Sequence, residues 1–146
     1  MPLFRSKTRI TGLACVLSGL LCTLPGSADQ VLIAHPSVGE SEVSLNTTRL
    51  VFSMQLGQWP NGTRARVFVL PDDSQVHRAF TKDLLSLYPR QLRRVWDRQL
   101  YSGTGQAPET VADETEMRHR VATTPGAIGY LSSEMIDDRV HVLKIR

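Results

Sequence analysis

The spacing of apolar and polar positions changes several times along the chain, and each change marks an element. Gln30–Ala34 is a short aliphatic run ended by His35-Pro36-Ser37, which predicts a buried strand. Residues 38–43 are polar and include Gly39, so they read as a loop. Over residues 44–56, Leu45, Val51, Phe52 and Leu56 fall on one helical face, with Ser44 or Asn46 as cap. Gly57-Gln58-Trp59-Pro60-Asn61-Gly62 breaks that helix with a turn, and Trp59 reads as a core lid whose indole N–H requires a partner. Residues 66–70 repeat the buried-strand pattern and stop at Pro71. Asp72-Asp73-Ser74 then offers caps for a helix carrying Val76, Phe80, Leu84 and Leu87.

Pro89 opens a further helix, where its missing N–H costs nothing, and Leu92, Val95, Trp96, Gln99 and Leu100 form its inner face. After a loop at residues 102–108, Asp113 with Glu116 makes a capping box for a helix through Val121. The sharpest junction follows, in Thr123-Thr124-Pro125-Gly126-Ala127-Ile128-Gly129-Tyr130-Leu131. A helical pattern stops at a proline, a glycine permits the turn, and an apolar run of strand length begins. Gly129 inside that run predicts that another group packs close to the strand. Residues 139–145 alternate as a last strand. Strands interleaved with helices predict a three-layer α/β sandwich around a mostly parallel sheet of four to five strands.

Charge changes the picture once the amino terminus is read. Residues 1–28 have the form of a cleaved secretory signal: Arg5, Lys7 and Arg9, then an apolar stretch over residues 10–24, then Gly26 and Ala28 before Asp29. The apolar stretch is too short to span a bilayer comfortably. Cys15 and Cys22 both lie in it, so the mature domain, residues 29–146, carries no cysteine and no disulfide. Absence of disulfides in a small exported domain points to a bacterial periplasm. Three of the 17 Lys and Arg leave with the signal, so 14 remain against 14 Asp and Glu. A formally neutral domain gives no bulk-charge argument for nucleic acid, and membrane contact is expected only through a partner.

Four blocks occur together in order: Val51-Phe52-Ser53-Met54 through Trp59-Pro60-Asn61-Gly62; Leu92-Arg93-Arg94-Val95-Trp96; Ser102-Gly103-Thr104-Gly105; and Thr124-Pro125-Gly126-Ala127-Ile128-Gly129-Tyr130. The set resembles the small single-domain relatives of the phosphate-binding subunit of bacterial phosphate ABC importers, within the type II periplasmic binding proteins. The resemblance implies one lobe of that fold, a non-enzymatic role, and phosphate or a similar oxyanion as ligand, with an ABC permease or sensor protein as partner. In the importer subunit the anion meets a helix start in an Arg-x-Asp-Gly-Ser-Gly-Thr loop. The matching stretch here is Leu70-Pro71-Asp72-Asp73-Ser74-Gln75-Val76, which keeps an Asp and the Ser but has Leu70 for the arginine and Gln75-Val76 for Gly-Thr.

The residues themselves make the same helix start a candidate, since a helix N-terminus carries unpaired N–H groups and partial positive charge. If the strands at 30–34 and 66–70 run parallel, His35 and Ser37 join Asp72, Asp73 and Ser74 at one sheet edge, with Arg78 a turn along. Two carboxylates there would oppose an anion, and capping alone explains Ser74. His35, His77, His119 and His141 lack metal-site spacing; Asp73 with His77 and Glu116 with His119 read as surface pairs. No cofactor is implied, and no nucleophile motif is present. Arg90, Arg94 and Arg98 share a helix face that reads as solvated or as a docking face, with Arg93 offset by Asp97. Two functions stand: an exported oxyanion-binding protein tied to transport or sensing, and a periplasmic interaction module that has lost its small ligand.

Overall fold

The aliphatic runs of the sequence become the centre of one sheet, and the amphipathic segments cover it from both sides. The computed structural model describes residues 29–146; the expected export segment, with Cys15 and Cys22, lies outside the described residues. In chain order the elements are β1 (Gln30–Ala34), β2 (Glu42–Val43), α1 (Leu45–Phe52), β3 (Arg66–Val69), α2 (Gln75–Ala79), α3 (Pro89–Ser102), β4 (Glu109–Thr110), α4 (Glu114–Thr123), β5 (Ala127–Ser132) and β6 (His141–Ile145). Beyond α2 the chain widens into π turns over Phe80–Leu84, marked by the Leu85 N–H donating to the Phe80 carbonyl five residues back.

Strand order is β2-β6-β1-β5-β3-β4. β3 runs parallel to β5 with Arg66 opposite Ala127, and the short rims β2 and β4 run parallel to β6 and β3. β1 is antiparallel to both neighbours, with Leu32 opposite Tyr130 and Ile33 opposite Val142. Five strands therefore point one way and β1 points the other. The mostly parallel α/β architecture expected from the sequence is present, with six strands instead of four or five. The extra two are two-residue rims in stretches that carry no strand pattern, and both residues of β4 are exposed.

β5 is buried along its whole length because helices lie on both of its faces. Gly129 meets α4: a Cβ there would lie 2.5 Å from Sδ of Met117 and 3.1 Å from Cγ2 of Val121, so the missing side chain is what lets the helix approach. On the opposite face Tyr130 stacks on Phe80 at 3.8 Å between centroids and leans on Phe52 at 6.0 Å. Behind them Trp96 of α3 is fully buried and donates its indole N–H to the Phe52 carbonyl (2.8 Å), while Gln99 donates to Ser53 O (2.8 Å). Because Gln99 takes that inward position, Leu100 turns out to solvent at 52 % exposure, against its expected place on the inner face.

The proline-glycine corner before β5 is fixed from three directions. The Gly126 carbonyl accepts from Nε1 of Trp59 (2.9 Å) and from the Arg66 N–H (3.1 Å), and the Gly126 N–H donates to Oγ of Ser37 (2.9 Å). Gly126 has φ +76°, and a Cβ would sit 2.1 Å from the Arg64 carbonyl oxygen. Trp59 is thus the expected lid with its expected partner, at 3 % exposure. Gly126→Ala combines a left-handed backbone with a backbone collision and should lower unfolding free energy by about 3 kcal/mol. Gly129→Ala meets a side chain that can yield and should lose about 1 kcal/mol. Urea titration of the two variants checks both values, and equal losses would contradict this account.

Candidate functional site

β3 ends at Val69, and the chain turns over Pro71 into Asp72, Asp73 and the cap of α2. Ser74 is an N-cap in extended backbone whose Oγ accepts the His77 N–H (3.3 Å). The pattern places His77 on the inner side of α2, fully buried, not paired with Asp73 on the surface as the four-residue spacing suggests. Its ring meets the hydroxyl of Tyr130, with Nδ1 2.5 Å from the phenolic oxygen. The Leu70 N–H donates to that same oxygen (2.9 Å). The Asp72 carboxylate facing Nε2 favours the neutral tautomer with its proton on Nε2, and in that tautomer the phenol donates to Nδ1. Nε2 makes no hydrogen bond and faces Oδ1 of Asp72 at 3.7 Å.

Asp72 is held from its other side by Arg93 of α3 in a two-pronged pair, Nε to Oδ2 at 3.0 Å and Nη2 to Oδ1 at 2.8 Å. Arg93 lies over the Trp96 ring at 5.1 Å, so its partner is Asp72 and not Asp97, which acts on it only as a lesser through-space charge. A row of side chains results: Tyr130, His77, Asp72, Arg93, running from the core to the rim. The hydrogen bond from Arg93 holds the Asp72 carboxyl below the usual carboxylate range. Burial lowers the His77 pKa, and the attraction of Asp72 opposes this without reversing it. Burial raises the Tyr130 hydroxyl well above its ordinary value, so it acts only as a neutral donor and acceptor.

The expected candidates are not brought together. β1 and β3 run in opposite directions, so His35 and Ser37 emerge at the amino end of β3 while Asp72, Asp73 and Ser74 lie beyond its carboxyl end. His35 and Ser37 hold the Gly126 corner instead: Nδ1 of His35 accepts the Ser37 N–H (3.0 Å), and Asn61 binds the Ser37 carbonyl (2.9 Å). Asp73 and Arg78 are exposed, and neither has an ion-pair partner among the described residues. Arg90, Arg94 and Arg98 are likewise exposed along the outer face of α3. No three metal-ligating side chains converge among the described residues. Sequence reasoning missed Tyr130 and Arg93 as members of the edge cluster. A tyrosine in a fully buried run was the signal, because its hydroxyl must find a partner. The Asp72–Arg93 pairing has no local spacing to betray it.

No protein-family model and no curated protein matches the sequence. Solved structures do. The chain is similar to an ABC-type phosphate transport receptor of Vibrio cholerae (TM-score 0.62, 11 % identity, 80 % of this chain and 45 % of that one). It is similar to a Clostridium perfringens substrate-binding protein assigned to phosphate ABC transport and holding bound phosphate (TM-score 0.63, 16 % identity, 80 % and 44 %). PstS of Borrelia burgdorferi matches at TM-score 0.59 and 14 % identity, over 80 % and 47 %. The chain spans less than half the length of these structures. At such identities the likeness establishes the fold, that of one lobe of a periplasmic-binding-protein-like architecture, as the sequence resemblance implied.

Burial of a neutral His77 makes stability depend on pH. The unfolded chain takes up the His77 proton near pH 6.5, whereas the folded protein resists it to lower pH. Stability should be full above about pH 7 and fall below about pH 6.5, with a slope approaching 1.4 kcal/mol per pH unit. A second loss, from protonation of Asp72, should begin below about pH 4. Denaturant midpoints measured from pH 4.5 to 8 should flatten in His77→Gln; an unchanged slope in that variant would contradict a buried neutral His77.

Proposed function

We propose that the protein is an exported, non-catalytic binding protein for phosphate or a related oxyanion, acting beside an ABC permease or a sensor in the periplasm. The observation that carries this reading is the fold match to half of several phosphate-transport receptors, one of which holds phosphate. The neighbours are receptors and binding proteins, which supports a role without catalysis. Asp72, Asp73, Ser74 and Arg78 remain the ligand-edge candidates on this reading. Their chemistry restricts what they do: the Arg93 charge is spent on Asp72, the Ser74 hydroxyl on its own helix, and of these four candidates Arg78 is the cation, with no ion-pair partner among the described residues. An anion at this edge would be held by Arg78 and the free N–H groups at the start of α2.

Calorimetry and thermal denaturation against phosphate, sulfate and small carboxylates test the proposal. A ligand at about a hundred times its dissociation constant adds about 2.7 kcal/mol, which raises the midpoint by several degrees. We expect such a shift with at least one oxyanion, reduced in Arg78→Ala if the edge holds it. A midpoint unmoved by every anion leaves a fold that works through protein contact alone, and the solute-binding reading is then lost.

A further inference from the structure

Between α1 and the first half of α3 the surface stays concave, and its exposed lining there is mainly apolar. Leu50, Leu87 and Val95 reach that surface half-buried, with Leu92 buried beneath them. The groove measures about 200 Å³. That is below the roughly 300–1,000 Å³ of small-molecule pockets, so it suits an inserted side chain better than a whole ligand. No carboxylate lines it among the described residues. Arg49 does, and its Nε–H is tethered to the Leu85 carbonyl (2.9 Å), which fixes a guanidinium at the wall.

The second wall belongs to the arginine-rich face of α3. At about 100° per residue, Arg90, Arg94, Arg98, Gln91 and Val95 follow one another from the outer face round to the groove. The three arginines are exposed, and neither they nor Arg49 have an ion-pair partner among the described residues. Asp97, the carboxylate of α3, lies on the side of the stripe turned away from the groove, toward Arg93. Arg90 to Arg98 spans about 12 Å of helix, the reach of carboxylates spaced four residues apart on a second helix laid alongside. Tyr101, at 92 % exposure, continues the stripe, and Arg and Tyr are the residue types enriched where interfaces gain their affinity.

We propose that the groove between α1 and α3 docks an amphipathic, acidic helical segment of a partner protein. An aliphatic side chain of that segment sits among Leu50, Leu87 and Val95, and its carboxylates meet Arg49, Arg94 and Arg98. An anionic bilayer is the other surface that such arginines attract, and two observations argue against it. Residues 29–146 balance 14 cations against 14 carboxylates, so no net charge draws the domain to a bilayer. The apolar strip is also recessed between two helices, where a single side chain reaches more readily than a plane of head groups. The proposal stands apart from the anion edge at α2 and does not depend on it.

Selection of a displayed library of random peptides, about sixteen residues long, on the full chain tests the proposal. Enriched peptides should carry Asp or Glu at four-residue spacing beside Leu, Ile, Phe or Met. A synthetic copy of one should shift amides at residues 49–55 and 87–98 and bind less tightly as salt rises. Arg94→Glu and Arg98→Glu, at exposed positions, should each weaken it about tenfold, and Val95→Ala about fivefold. Arg66→Ala, which removes a cation elsewhere, should leave the affinity unchanged. Peptides without acidic residues, or peptides indifferent to Arg98→Glu and Val95→Ala, overturn the proposal, as does a selection that enriches nothing. Vesicles of phosphatidylglycerol and phosphatidylcholine complete the test. Binding to them that Arg94→Glu abolishes, with no peptide enriched, assigns the stripe to a lipid surface and overturns the proposal.

Discussion

The carbonyl of Gly126 is the point at which four separate segments agree on their positions. It receives the Trp59 indole and the first N–H of β3, while its own N–H goes to Ser37, just beyond β1. Each of those groups would be a buried or half-buried polar atom without a partner if the corner moved, at about 1–3 kcal/mol apiece. Three such obligations on one residue, in a left-handed conformation with no room for a Cβ, make the corner a constraint that the register of β5 against β1 and β3 inherits. That register sets which residues of β5 face which helices. Gly129 must face α4 and Tyr130 must face α1 and α2, since a slip of one residue would exchange them.

From Tyr130 the consequences run outward to the carboxyl edge of the sheet. Its hydroxyl satisfies the Leu70 N–H at the end of β3 and bonds Nδ1 of His77, whose Nε2 faces Asp72. Asp72 therefore faces the His77 ring on its inner side and Arg93 on its outer side. The edge that would serve an anion is consequently close to neutral, with Asp72 and Asp73 against Arg93 and Arg78, and Arg93 is committed to Asp72. An Arg–Asp pair this exposed adds little to stability on its own. What it does is electrostatic: it neutralises the Arg93 charge and leaves Arg78 as a cation of this edge without an ion-pair partner among the described residues. Arg64 and Arg66, where β3 begins, have no ion-pair partner among the described residues.

Much of the fold was legible because the chain's periods are clean. The runs at Gln30–Ala34 and residues 66–70, the Asp113 cap of α4 and the Pro-Gly corner all became the elements that local rules require, although Glu116 closes no capping box and accepts from the Ala112 N–H instead. Strand direction was not legible, because nothing in an aliphatic run says which way its neighbour points; β1 lies between two strands that oppose it. That one unknown decided the candidate site, sending His35 and Ser37 to the end of the sheet opposite Ser74. β2 and β4 escaped notice because a two-residue rim has no period to read. His77 and Arg93 were misjudged for a related reason. Their four-residue neighbours, Asp73 and Asp97, were near in sequence, but tertiary packing supplied Tyr130 and Asp72 instead.

These details also explain why the motifs identify the architecture without identifying a ligand. Phe52 accepts from Trp96, Ser53 accepts from Gln99, Trp59 binds Gly126, and Asn61 ties the turn after Trp59 to residues 37 and 38. The Trp-Pro-Asn-Gly, Leu-Arg-Arg-Val-Trp and Thr-Pro-Gly-Ala-Ile-Gly-Tyr blocks are mainly joints between elements, and most of their polar contacts are with backbone. Joints of that kind constrain a fold through geometry that few other residues reproduce, and they place no demand on what the fold carries. None of these joints involves the side chains of the stretch from Leu70 to Val76, so they leave its sequence unconstrained. In this lobe the groups that hold the fold are spent on its internal joints, while the unpaired charges, Asp73, Arg66 and Arg78 among them, lie at the rims of the sheet.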